Sequence, residues 1–183
     1  MLLENLGVDF AVEPSSVDEA AVIEEDPAMR AQILGRLKAQ DVAARIPGRW
    51  VIGCDTLVVA ADGTLLEKPQ DAADARRMLE LQSGKASLVH SGLCLVGPDG
   101  AVHEGLSSSS VFFQVLAKAD TAWWLSTGNW QGRSGAFQID GPGQLLIERI
   151  EGDWSGIVGL PIFLLGQHCA KAGAPLRAAS QSI

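Results

Sequence analysis

An aspartate inside an apolar, strand-forming run is the first feature of this sequence that calls for chemistry. Asp55 stands within Trp50–Ala60 (WVIGCDTLVVA), whose apolar and β-branched residues predict a buried central strand. Aspartate is depleted in strands because burying a carboxylate without partners is costly. Asp55 therefore needs a cation, a donor network or a functional reason. Its position alone leaves a structural ion pair and a catalytic role both open. Gly53 would let another element approach the strand backbone closely. Two lysines fall where an ammonium could reach the same site. Lys68 precedes Pro69 and a predicted helix, and Lys38 lies midway along another. Each also reads as an ordinary solvated side chain.

Other familiar signals fail. Gly84–Lys85 lacks both the upstream glycine and the following Ser/Thr of a phosphate loop. Gly141–Pro142–Gly143 has no third glycine at dinucleotide-fold spacing. Gly132-x-Ser134-x ends in Ala136, so a nucleophile elbow is absent. His90, His103 and His168 are isolated, which gives nucleophilic triads no support.

The elements that must position Asp55 follow from periodicity and punctuation. A helix is predicted from Ala28, after Pro27, to about Ala44, with Ile33, Leu34, Leu37 and Val42 on its apolar side. Asp62–Gly63 reads as a hairpin-type turn, with Thr64–Glu67 as a returning strand. Asp71–Gln82 is predicted helical, Ser87–Val96 and Ala101–Val115 as strands, and Ala119–Ser126 as a short helix. Thr127–Gly143, with five glycines, is expected to be a long irregular loop. Leu145–Ile150 reads as a strand and Leu160–Ala172 as a helix. At the start, a short helix ends at Gly7 and Val8–Val12 alternates like a strand. Strands and helices mix throughout, so the class is α/β or α+β, and 183 residues suit one domain, with a frayed tail from about 174.

Composition narrows the function. The chain is 47% hydrophobic and 20% charged, the mix of a soluble globular domain. Its formal charge is −8, with eight acids and one base, Arg30, in residues 1–30. No basic patch is available for sequence-independent nucleic-acid binding. No apolar run reaches the roughly 20 residues of a membrane span, and no secretory leader pattern is visible. Three scattered cysteines without a C-x-x-C pair point to a reducing compartment, hence to the cytoplasm.

Taken in order, the motifs resemble the Maf family of septum-formation-associated nucleotide pyrophosphatases. They include Leu2–Leu6 with Gly7, Val17–Asp18–Glu19, Leu37–Lys38–Ala39, Ile52–Gly53–Cys54–Asp55–Thr56 and Lys68–Pro69. Further along come Gly135–Ala136–Phe137, Ile139–Asp140–Gly141, Glu151–Gly152–Asp153 and Val158–Gly159–Leu160–Pro161. The resemblance implies an elongated, two-lobed α/β fold shared with the inosine triphosphate pyrophosphatases. It further implies a central twisted mixed sheet and a cleft between lobes.

It also implies hydrolysis of a nucleoside triphosphate, pyrimidine or modified, to the monophosphate and pyrophosphate with Mg²⁺ or Mn²⁺. By resemblance Asp55 is the base and a metal ligand, Glu19 is a candidate acidic partner for metal or water, and Lys38 and Lys68 neutralise phosphate oxygens. Thr56 and the Gly135–Gly141 loop, including Asp140, line the nucleotide pocket. A nucleoside triphosphate is thus the expected partner, no nucleic acid or membrane is, and a homodimer is a further expectation.

Three departures from the family pattern stand out. Family members place a strand and a Ser-x-Ser-x-Arg-Arg-type phosphate loop before the helix ending at Leu6–Gly7, where this chain starts. The expectation is an upstream start or a shortened chain, the latter implying a catalytically impaired protein that binds a nucleotide or protein partner without turnover. Asp140 stands where many members carry a glutamine that contacts substrate. Ser87 and Gly156 replace a frequent Thr-His pair and a frequent asparagine.

Overall fold

The computed structural model describes residues 2–176. A short helix, α1 (Leu2–Asn5), leads into an irregular segment and the helix α2 (Pro27–Arg45). Asp26 starts α2 by accepting a hydrogen bond from the Ala28 amide at 2.9 Å, and Pro27 occupies the first turn. Then come β1 (Val51–Val59), β2 (Leu65–Leu66), α3 (Ala72–Gln82), β3 (Ala86–Val96) and β4 (Val102–Phe113). The chain continues through α4 (Lys118–Ser126), β5 (Ile147–Glu151), α5 (Trp154–Val158) and α6 (Ile162–Ala172). No helix among the described residues is long and apolar enough to cross a membrane.

The five strands form one sheet in the order β2-β1-β3-β4-β5. Every ladder among the described residues is antiparallel, so the mixed sheet expected from the resemblance is not what the strands build. Two tight turns explain much of this. Val59 pairs with Leu65 across the Asp62–Gly63 turn, and Val96 pairs with Val102 across Gly97–Gly100. The α/β class itself holds.

Alternation along β1 and β3 assigns the two faces. Val51, Gly53 and Asp55, with Gly92, Cys94 and Val96, look toward α2. On the opposite face Leu93 and Leu95 pack on α6 through Leu165 and Cys169. A larger cluster there joins Val58, Val89 and Val111 to Met78 and Leu79 of α3, Trp124 of α4 and Phe137.

The buried side of α2 is Ala31, Leu34, Gly35, Ala39 and Val42; Ile33 and Leu37 of the predicted stripe are only partly covered. Small residues win because the helix lies directly on strand backbone. A Cβ placed on Gly92 would sit 2.2 Å from the Ala31 carbonyl oxygen, and one on Gly53 would sit 2.5 Å from the Ala39 nitrogen. The close approach expected at Gly53 is therefore made by α2. Gly92→Ala is expected to lift α2 and cost about 2 kcal/mol of stability, as overpacking does, readable as a lower urea midpoint at unchanged m.

Val8–Val12 forms no strand: no strand among the described residues pairs with it, and Val12 is 80% exposed. Polar contacts fasten the following segment to α2 instead, through Ser16 on Asp41 and Glu13 on Arg45. Leu145 and Leu146 end a 3-10 turn, Pro142–Leu146, so the last strand begins at Ile147. The helix α5 has no counterpart in the periodicity; Asp153 starts it by accepting from the Ser155 amide. Of the expected frayed tail, the Ala174 amide bonds to the Cys169 carbonyl and Leu176 packs on the α6 cluster, while 177–183 lie outside the described residues.

Candidate active site

The outer side of β1 is covered by β2 only at Val58 and Val59. A cleft of about 260 Å³ opens beside the rest of that edge, with Asp55, Thr56, Lys68, Arg133, Gln138 and Asp140 on its walls. Because successive strand residues point to opposite faces, Asp55 and Thr56 reach it from the two sides of the sheet.

Asp55 is 8% exposed and opposes Gly92 in the ladder with β3. The close seating of α2 brings the Lys38 ammonium over it. Lys38 Nζ lies 2.5 Å from Asp55 Oδ1 and 2.7 Å from Glu19 Oε1, so one cation joins two carboxylates. Burial opposes the charged lysine, yet the hydrogen bonds and charges of Asp55 and Glu19 outweigh it and hold Lys38 above its ordinary value. Glu19 opens a 3-10 turn, Glu19–Ala21, capped by Asp18, and its carbonyl accepts from Arg30 Nη2 at 3.5 Å. The second oxygen of Asp55, Oδ2, is buried and has no hydrogen-bond partner among the described residues. Such an atom accepts readily from a water or a cation.

The sequence-derived residues thus fall into two groups that share Asp55. Glu19, Lys38 and Asp55 form the ion cluster; Asp55, Thr56, Lys68 and Asp140 line the cleft. Thr56 Oγ1 lies 2.7 Å from Ser91 Oγ, which itself donates to the Gly156 carbonyl at 2.6 Å. With the Ser91 proton committed, Thr56 donates to Ser91 and offers the cleft only acceptor lone pairs. The Gly156 position therefore supplies a carbonyl to this chain.

Three further residues on or beside the cleft have no motif behind them. Arg133 is flanked by Gly132 and by Ser134–Gly135, and an arginine among loop glycines was the available signal. Gln138 has a buried Oε1 without a partner among the described residues, and nothing in the sequence marks it as inward-facing. Arg30 approaches Glu67 at 3.9 Å beside Lys68.

The wall that carries Arg133 and Gln138 is pinned from behind. Gln82, fully buried, donates through Nε2 to the Gly135 carbonyl at 2.7 Å and accepts from Ser87 at 3.2 Å. Ser87 thus orients the amide that holds the loop. Trp124 Nε1 donates to the Ala136 carbonyl at 2.8 Å. Ala136 has φ +57°, a conformation that a non-glycine residue keeps only where the surroundings enforce it.

Nucleophilic chemistry finds no candidate here. Burial and the neighbouring Asp55 charge push the Cys54 thiol up to about 12, so it stays protonated and inert. None of the three histidines lines the cleft.

By fold and site this is an α/β protein whose cleft, at the open edge of one strand, sets a lysine-clamped carboxylate beside further cations. A family model described as Maf-like protein matches residues 1–172. The chain is 44% identical over 172 residues to a dTTP/UTP pyrophosphatase of Deinococcus radiodurans, covering 94% of this chain and 87% of that protein. It is 38% identical over 157 residues to a dTTP/UTP pyrophosphatase of Pyrococcus furiosus, covering 86% and 82%. A dTTP/UTP pyrophosphatase of Koribacter versatilis is 40% identical over 172 residues, covering 94% and 88%. The chain belongs to the Maf family.

Proposed function

We propose that this protein is a nucleoside triphosphate pyrophosphatase that splits dTTP and UTP into the monophosphate and pyrophosphate, with Asp55 as the group that takes a proton from the attacking water. The observation that carries this reading is the state of Asp55. Its Oδ1 is fixed by Lys38, its Oδ2 is buried without a hydrogen-bond partner among the described residues, and Asp55 is one of the residues that line the cleft. A general base needs a held orientation and a free lone pair. Lys68 and Arg133 line the same cleft, and their cationic groups suit phosphate oxygens. Gln138 lines the cleft, and its Oε1, buried and without a partner among the described residues, is an acceptor of the kind that the imide N–H shared by uracil and thymine requires. The names of the relatives favour turnover over binding without turnover.

A divalent cation fits this donor set. Mg²⁺ is commonly bound by one or two carboxylates together with substrate phosphates and water, and Asp55 and Glu19 supply such a pair. No group of three potential protein ligands occurs among the described residues. When bound, the ion would neutralise phosphate charge and polarise the phosphorus centre. Lys38, between the two carboxylates, sets their separation; Asp55 Oδ2 remains the proton acceptor. Three unpaired cysteines suit a reducing, cytoplasmic setting.

Pyrophosphate release from a panel of UTP, dTTP, CTP and ATP tests the reading. UTP and dTTP are expected to be turned over at least about tenfold faster than ATP in kcat/KM. Chelation with EDTA is expected to stop the reaction, and Mg²⁺ or Mn²⁺ to restore it. Absence of turnover on every nucleotide, with metal present, would refute the activity; full turnover in EDTA would refute the cation.

A further inference from the structure

Arg133 and Asp140 face each other across the cleft wall in an arrangement that a stable ion pair does not need. Arg133 Nη1 is 3.6 Å from Asp140 Oδ1, too long for a good hydrogen bond, and the guanidinium donates no hydrogen bond among the described residues. The Asp140 side chain is nonetheless only 11% exposed, while that of Arg133 is 40% exposed. A nearly buried carboxylate normally gathers firm donors; this one is matched to a loosely held fork of N–H groups.

The loop that carries the arginine is not loose. Gly135 donates from its amide to the Glu67 carbonyl and accepts from Gln82, and Ala136 accepts from Trp124. The Ala136 amide in turn donates to the Arg133 carbonyl at 3.0 Å. A fixed backbone with an uncommitted guanidinium is preorganised for a planar oxyanion, which arginine binds through two parallel N–H groups. A carboxylate is the protein's own closest imitation of a phosphate edge.

We propose, resting on the pyrophosphatase reading of this cleft, that Asp140 holds the place of a substrate phosphate on Arg133, and that an arriving polyphosphate displaces it. Arg133 is then a substrate-binding residue and Asp140 its resident competitor. The pair keeps the cleft close to electroneutral, since Lys38 is already shared by Asp55 and Glu19. It also sets a threshold: weak single anions do not outcompete a tethered carboxylate, whereas a chain of phosphates does.

Calorimetric binding of inorganic tripolyphosphate to the full chain in EDTA tests this without any turnover. Arg133→Ala is expected to weaken binding about tenfold or more, and Arg133→Lys to fall between it and the wild type. Asp140→Asn is expected to tighten binding about threefold, because it removes both a competitor and a negative charge. Thermal melts confirm that the variants are folded. With UTP as substrate, Arg133→Ala should raise KM about tenfold while kcat changes by less than about threefold.

Binding by Arg133→Ala within about twofold of wild type, weaker binding by Asp140→Asn, or no measurable binding by the wild type overturns the proposal. If tripolyphosphate binding follows the expected order but no nucleotide is hydrolysed, the displacement stands and the activity falls. If UTP is hydrolysed but the order fails, the reverse holds.

Discussion

Asp55→Asn is expected to lower UTP turnover by about 10³-fold while leaving the protein folded. Asparagine keeps the size of the side chain and an oxygen that still accepts from Lys38. It removes the charge and the basicity that the proposed role of Oδ2 as proton acceptor requires. Since Asp55 is 8% exposed, bulk water cannot freely substitute for it. The loss belongs in kcat rather than KM, because Lys68 and Arg133, the proposed phosphate contacts on the cleft wall, are untouched. Stopped assays of pyrophosphate release, paired with thermal melts, check this. A variant that retains more than about a tenth of the wild-type rate would remove Asp55 from the role of base.

Lys38→Met is the variant with the largest expected effect on stability. It leaves the Asp55 carboxylate buried beneath α2 without its cation, and breaking one side of such a pair costs about 3 kcal/mol. Glu19, half-exposed, loses little, since water takes over its solvation. The double variant Lys38→Met/Asp55→Asn should recover most of the loss, because the residue left behind is then neutral. Urea unfolding of the two singles and the double measures this; equal destabilisation of Lys38→Met and the double would contradict it.

The same pair predicts a pH dependence. Burial works against the Lys38 ammonium, but the hydrogen bonds to Asp55 and Glu19 hold it above the ordinary lysine value of 10.5. A raised lysine contributes stability that is fully present below 10.5 and is lost as pH climbs through its higher folded value. The alkaline loss should be steeper in the wild type than in Lys38→Met.

Some of this was legible in the residue string because it was a local contradiction. A carboxylate inside WVIGCDTLVVA needs an explanation whatever the fold, and the ammonium that answers it comes from a helix whose start and end Pro27 and Pro47 already mark. Gly53 also announced its close contact. What the string does not carry is which side of that helix is pressed down. Of the predicted stripe Ile33, Leu34, Leu37 and Val42, Leu34 and Val42 are buried, but the closest contact is made by Ala31, Gly35 and Ala39 against Gly53 and Gly92. Helix-to-backbone packing selects absence of side chain, and hydrophobic periodicity does not record that.

The cleft wall shows the same limit. Arg133 and Gln138 lie in an irregular loop, where direction depends on distant anchors such as Gln82 and Trp124 rather than on any repeating pattern. Val8–Val12 failed as a strand for the opposite reason: its alternation is present, but no neighbouring strand takes it up.

The central claim is that the cleft beside Asp55 splits a nucleoside triphosphate between its first and second phosphates. Phosphorus NMR of UTP incubated with the wild-type chain and Mg²⁺ tests it most directly. The account predicts UMP and pyrophosphate in equal amounts, with no UDP and no early orthophosphate. Accumulation of UDP and orthophosphate, or UTP left intact, would contradict it.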